Sequence, residues 1–339
     1  MYYKLCLNIL IFISISILLC SCGQNASKTK VPNAADSLAN IEAVKELSKS
    51  IDENPEDAEL LYRRAQVYVN EKYLNRAEDD YLAAISLDSI NPLFHFSLGR
   101  TYYAMNQTQR AAKSYERAIL LKPDYQEAIL KLADLYFIVK EHPKSIALLN
   151  KGMKIDQGNA TIYHMLGMNY KEMGDTARAI YHFQTAIENN PSDYESNLYI
   201  ANLYAARKNQ LAFDYFKAAI KLQPKNPDAW FSRAVFEQTI KMYKNALVDY
   251  RRVIYLNPEN YLSYYNVGYI NYENGLMDEA LRNWNTCTQM NPAYANAYYM
   301  KGLLYEERKN KADARLNYKV ALEIEPDNTV FKSGFERVK

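Results

Sequence analysis

The prolines of this chain recur at a fixed interval. Pro55, Pro123, Pro191, Pro224, Pro258, Pro292 and Pro326 are separated by 68, 68, 33, 34, 34 and 34 residues, so seven of the eleven prolines share one phase of a 34-residue period. Small residues recur in a second phase: Ala65, Gly99, Ala133, Gly167, Ala201, Ala234, Gly268 and Gly302. A third phase holds Ala77, Ala111, Ser145, Ala179, Ala212, Ala246, Ala280 and Ala314. Three markers in register along a 339-residue chain argue against a pair of ordinary globular domains and for an array of stacked units.

One period shows what the unit is. Tyr163, Leu166, Gly167 and Tyr170 are spaced 3, 1 and 3, which places them on one face of a helix. Gly174-Asp175 stops that helix and starts another. Ala179, Phe183 and Ala186 mark the buried face of the second helix, and Pro191 ends it because proline cannot continue a helix. Small residues at Gly167 and Ala179 let the two helices approach closely. A single helical hairpin cannot bury both of its faces, so neighbouring hairpins must stack.

The spacing and the residues of this unit resemble the tetratricopeptide repeat. Residues 163–191 carry its pattern most fully, and the unit containing Trp230, Ala234, Ala246, Tyr250 and Pro258 carries it again. The resemblance implies an all-α fold, a right-handed α-solenoid superhelix of eight helix–turn–helix repeats over residues 58–328. Departures are local. Glu237 and Asn271 replace the usual first-helix tyrosine, Ser89 and Gln157 replace the terminal proline, and one residue is lost between Lys208 and Ala212. Before the array, Leu38, Ile41, Val44, Leu47 and Ile51 form a helical stripe, so residues 38–57 are expected to be an N-terminal capping helix. After it, Val330, Phe331, Phe335 and Val338 define a short C-terminal cap over 329–339, which is expected to leave that end partly exposed or available to dock a partner.

The first residues are an address. Met1 to Lys4 carry one positive charge, and an apolar stretch follows from Leu5 to Leu19. This is the layout of a secretory signal and is short for a membrane-spanning helix. It ends in Leu19-Cys20-Ser21-Cys22-Gly23, which resembles the lipobox of bacterial lipoproteins. That resemblance implies a signal peptide over 1–21 and acylation of Cys22, with the covalent lipid as the only attached group. No cofactor is expected. Residues 22–37 read as a lipidated flexible tether with a reach of roughly 20 Å. Gly23 and the non-acidic stretch after it imply the outer membrane of a diderm bacterium, with the periplasmic face favoured and the cell surface as the alternative.

Lys plus Arg total 41 and Asp plus Glu total 39, a balance that gives no general attraction to nucleic acid. Three of the four cysteines lie in the first 22 residues, so no disulfide framework serves the array, and Cys287 reads as a small buried hydrophobe. There is no phosphate-binding glycine loop, and the mature chain has no His-Glu-x-x-His motif and no Cys-x-x-Cys pair. His164 and His182 fall on different helices, and Asp79-Asp80 and Glu306-Glu307 read as solvated faces. The chain is therefore expected to have neither catalytic nor metal-binding residues.

Tyrosine is unusually frequent, at 31 residues against two Trp. In tetratricopeptide folds the first helices line a concave groove, and the resemblance places Phe96, Tyr103, Phe137, His164, Phe231, Tyr265, Tyr269, Tyr272 and Tyr299 there. Tyr265, Tyr269 and Tyr272 are spaced 4 and 3, on one helical face. The lysine and paired asparagines of the family's carboxylate clamp are missing; Asn202 and Asn266 alone do not make one. The expected function is a membrane-anchored scaffold of the cell envelope that grips a peptide or helix of a partner protein. The alternative is a carbohydrate or peptidoglycan binder using the same aromatic groove.

Overall fold

The computed structural model describes residues 34–339, and the regular elements there are all helical. The expected signal peptide, Cys22 and most of the tether lie outside the described residues. The leading helix α1 (Ala34–Glu53) starts four residues before the boundary expected at 38. Ala34 and Ala35, the strongest helix-forming type, account for the early start. No helix among the described residues is long and apolar enough to cross a membrane.

Eight helix pairs follow: α2 (Ala58–Asn70) with α3 (Leu74–Leu87), α4 (Pro92–Ala104) with α5 (Thr108–Leu121), α6 (Gln126–Ile138) with α7 (His142–Ile155), and α8 (Ala160–Glu172) with α9 (Thr176–Asn189). Then come α10 (Tyr194–Ala206) with α11 (Ala212–Leu222), α12 (Pro227–Thr239) with α13 (Tyr243–Leu256), α14 (Tyr261–Glu273) with α15 (Met277–Met290), and α16 (Ala295–Glu307) with α17 (Lys311–Ile324). The closing helix is α18 (Thr329–Arg337). The fold is an α-solenoid of helix–turn–helix repeats. It divides into two compact units that part between Leu132 and Ala133, inside α6. The residue missing after Lys208 shortens α11 to 11 residues, against 14 in α9 and α13.

Every pair turns through the same backbone device. Lys72, Asn106, Lys140, Gly174, Lys208, Lys241, Gly275 and Lys309 all have φ between 54° and 78°. In the fourth turn the Gly174 N–H donates to the Lys171 carbonyl at 3.0 Å and the Asp175 N–H to that of Tyr170 at 2.9 Å. These are the two bonds of a Schellman motif, which satisfy carbonyls the helix end would leave bare. Gly174 and Gly275 adopt this conformation without a Cβ penalty, whereas the six other residues carry the strain. On the other side of each unit, Asp57, Asn159, Asp193, Asn226 and Asn260 cap the N-termini of first helices by accepting backbone N–H bonds.

The small residues of the second marker face rings. A Cβ placed on Gly99, Gly167, Gly268 or Gly302 would lie 2.7, 2.6, 2.5 or 2.6 Å from the ring of Tyr115, Phe183, Trp284 or Tyr318. In each case the ring is sixteen residues later, on the second helix of the same pair. Ala234 and Tyr250 share one core cluster, and Ala201 and Phe216 share another. Each fully buried ring of this kind contributes roughly 1.5–3 kcal/mol. The next pair stacks on one of these rings, Tyr199 lying 5.2 Å from Phe183 at 16°, and in the last pair α18 stacks Phe331 on the first-helix ring Tyr299 at 5.0 Å and 27°.

The C-terminal end is better sealed than its length suggests. Phe331 and Val338 are buried in one cluster with Trp284, Tyr299 and Tyr318, and Phe335 packs against it. The expectation of a partly exposed end is therefore corrected. Nine residues suffice because α18 inserts one aromatic ring deeply instead of covering a wide face.

Two substitutions test this account. Gly167→Leu forces a side chain into Phe183 and is expected to destabilise by roughly 1–3 kcal/mol or more. Hydrogen exchange should quicken in α8, α9 and α10 while α2 to α5 keep their protection, because a repeat depends on its neighbours alone. Equal loss of protection everywhere would contradict this. Lys140→Gly relieves a positive φ and is expected to raise stability by about 1 kcal/mol in chemical denaturation; a decrease would show that the turn is not strained.

Candidate partner-binding surface

The expected groove residues separate into three groups by burial and surroundings taken together. In the first unit, Phe96 is 4% exposed and wedged between Tyr115 at 5.8 Å and Tyr125 at 5.0 Å. It is a core residue, a correction to its placement in the groove. Tyr103 is 45% exposed on the last turn of α4. In the second unit, Tyr299 needs the same correction: it is buried between Tyr318 and Phe331. Both lie one turn before the small residue of their helix, with the rings of Tyr125 and Phe331 at 5.0 Å.

Phe137, His164 and Phe231 are half-buried. Phe137 meets His142 at 5.6 Å and 64°, and Phe231 meets Tyr250 at 5.8 Å. His164 belongs to a small polar cluster. Its Nδ1 lies 2.9 Å from Ser196 Oγ and 3.6 Å from Asp193 Oδ2, and Ser196 donates to Asp193 at 2.6 Å. Burial works against ionisation of Asp193, but hydrogen bonds from His164 and Ser196 outweigh it and hold the carboxyl down at about 2. The serine proton points to the aspartate, so the trio has no activated nucleophile; Asp193 also caps α10. His182, by contrast, stacks on Tyr170 at 5.2 Å and 5°.

Tyr265, Tyr269 and Tyr272 form the third group, all half-buried on α14. Tyr265 stands edge-on to Tyr294 at 5.0 Å and 83°. Its carbonyl accepts the Trp284 indole N–H at 3.1 Å. Tyr269 packs against the core clusters on both sides of α14. Tyr272 leans on Trp284 at 5.8 Å and donates its hydroxyl to the Glu307 carboxylate of the next pair. Burial raises the pKa of all three, with Glu273 adding to the effect at Tyr269 and Glu307 at Tyr272. The phenols therefore stay neutral, with the Tyr265 hydroxyl buried and those of Tyr269 and Tyr272 held by Glu273 and Glu307, so the strip offers apolar ring surface. Such a strip suits recognition of an apolar side chain.

The sequence reading missed a set of ion pairs. Asp80 is 7% exposed and takes two bonds from Arg64, at 2.8 and 2.7 Å, so it is no solvated residue. Arg233 and Asp249, in the same phase, repeat the arrangement at 2.6 and 2.9 Å. Glu306 likewise takes Arg337 at 2.8 and 2.9 Å and the Tyr318 hydroxyl at 2.6 Å. The signal was available: Arg64 and Asp80 are sixteen apart, as are each glycine and its ring, a spacing that bridges the two helices of one pair. Cys287 is a free, fully buried thiol whose pKa burial pushes up to about 12. Among the described residues no group of three His, Cys, Asp or Glu side chains could hold a metal ion.

Comparisons with known proteins agree with this architecture. A family model described as "Tetratricopeptide repeat" matches residues 164–227 and 278–329, and two further models of the same description match 102–167 and 58–91. Together they cover more than half of the chain. The human protein O-mannosyl-transferase TMTC3 is 24% identical over 81% of this chain, and the match spans only 28% of that protein's length. Two crystal structures share the fold. The C-terminal part of a TPR repeat-containing protein from Cytophaga hutchinsonii is 15% identical with a TM-score of 0.61, covering 70% of this chain and 98% of that one. A tetratricopeptide repeat protein from Parabacteroides merdae is 17% identical with a TM-score of 0.54, covering 73% and 98%. With the period, the Schellman turns, the glycine-to-ring contacts and the matching family models in hand, the chain belongs to the tetratricopeptide repeat family.

Proposed function

We propose that this protein is a binding scaffold of the bacterial cell envelope, built of eight tetratricopeptide repeats and anchored by a lipid on Cys22. Its task is to hold a peptide or helix of a partner protein. The observation that carries the reading is the α14 strip of Tyr265, Tyr269 and Tyr272, whose rings lie half-exposed on a first helix of a tetratricopeptide array. Tyrosine buries large apolar area at low entropy cost. Phe137, His164 and Phe231, also half-exposed on first helices, extend the proposed surface.

The anchor is tested directly. Cys22→Ala should abolish fatty-acid labelling and release the protein from the membrane fraction, because the several acyl chains of a bacterial lipoprotein hold where one chain would not. An unlabelled, freely soluble wild type would refute the anchor.

The surface is tested on one variant with two readouts. A partner is first identified by crosslinking the native protein in cells and mass spectrometry. Replacing Tyr269 and Tyr272 together by Ser is then expected to weaken its binding at least about tenfold, or 1.4 kcal/mol. Because Tyr272 also leans on Trp284, the melting temperature is measured alongside. Lost binding at a temperature where the variant remains folded supports the surface. Unchanged binding removes α14 from the interface. Binding of isolated glycan by wild type, with no protein partner, would favour the carbohydrate reading.

A further inference from the structure

At one position near the end of the first helix, six pairs carry tyrosine: Tyr68, Tyr102, Tyr136, Tyr170, Tyr204 and Tyr305. In the first four, a cation eight residues later sits over the ring. The Arg76 guanidinium lies 5.8 Å from the centre of Tyr68, Arg110 4.0 Å from Tyr102, Lys144 5.4 Å from Tyr136 and Arg178 4.7 Å from Tyr170. The α12–α13 pair departs at both places. Glu237 stands where the ring would be, and Asn245 where the cation would be.

The result is a cleft of about 530 Å³ with Glu237 among its lining residues. Glu237 is 4% exposed, and its Oε2 is shut off from solvent without a hydrogen-bond partner. Arg233 lies near but is committed to Asp249 by two bonds, at 2.6 and 2.9 Å. Burial, reinforced by Asp249 and opposed by Arg233, raises the Glu237 pKa to about 7. Phe213, Met242 and Val248 give the cleft apolar walls, and Val248 is 63% exposed. The site thus joins an unpaired buried acid to apolar surface that fits the methylene stem of a long basic side chain.

We propose that this cleft binds the guanidinium group of an arginine side chain supplied by a partner protein, with Glu237 as its counter-ion. Arginine is the favoured cation because three of the four cations that fill the equivalent place in other pairs are arginines, and its flat fork forms paired bonds with a carboxylate. The partner would supply in trans what Arg76, Arg110 and Arg178 supply in cis. The site rests on the reading of the chain as a partner-binding protein, but a small probe tests it without any partner and apart from the α14 tyrosines.

The probe is N-acetyl-arginine amide, titrated into the protein and followed by chemical-shift changes at α12 and α13. Binding requires the ionised carboxylate, so a group of pKa about 7 makes affinity about tenfold weaker at pH 6 than at pH 8. The charged and titratable neighbours are Arg233 on α12 and Lys244, Asp249 and Tyr250 on α13, while α11 presents the uncharged Phe213. Glu237→Gln keeps the size of the side chain and should lose at least tenfold in affinity together with the pH dependence, without a lower melting temperature. Asn245→Arg restores the missing cation within the chain and should block the probe by a second route, independent of how Glu237→Gln folds. Unchanged probe binding in either folded variant overturns the proposal. Equal binding of N-acetyl-lysine amide overturns the choice of guanidinium.

Discussion

A small residue pressed against a ring of the second helix sets the distance between the two helices in six of the pairs, sixteen residues later in five of them, and much of the architecture follows from that distance. With the Cβ absent, the ring of Phe183 or Trp284 lies against the backbone of α8 or α14, closer than any side chain there would permit. The ring is then fixed on one side and offers its other side to the first helix of the following pair, as Phe183 does to Tyr199. Within-pair closure and between-pair stacking are thus two faces of the same side chain. The bidentate pairs Arg64–Asp80 and Arg233–Asp249 bridge the same sixteen residues and fasten the hairpin from its polar side. Arg233 and Asp249 are mostly buried, so losing one partner would strand a charge and cost more than the pair contributes.

The repeat unit was legible because its markers are residue types that physics assigns to one task. Proline ends a helix, and small residues permit close approach, so their phases alone give the helix pairs and their order. The left-handed turn residues were less legible. Only Gly174 and Gly275 announce themselves, while Lys72 and Lys140 occupy the same strained conformation with no compositional sign. The boundary of α1 was misplaced by four residues, because a tether and a helix that begins with alanines differ little in composition.

Surface residues were the least legible part. Helical spacing states which face a residue occupies, but not whether the next helix covers that face. Phe96 and Tyr299 occupy the position that Tyr265 and His164 occupy in their own pairs, yet the first two are buried and the others are not. A neighbouring ring does not by itself decide the matter: Tyr125 and Phe331 lie 5.0 Å from Phe96 and Tyr299, but Tyr294 lies equally close to Tyr265. Glu237 was visible as a departure from the repeat, but its burial was not, since a lone glutamate on a helix is ordinarily solvated.

The shortness of these links in sequence has a kinetic consequence. The glycine-to-ring contact and the arginine pairs close over sixteen residues, and the bond from Tyr272 to Glu307, which joins neighbouring pairs, spans 35. A chain whose native contacts are this local closes small loops at each step and so pays little loop-closure entropy before contacts form. Each hairpin has its own lock as soon as its second helix is available, and it can serve as the template for the next. Assembly can therefore advance one hairpin at a time in step with emergence of the chain, rather than waiting for the far end to arrive.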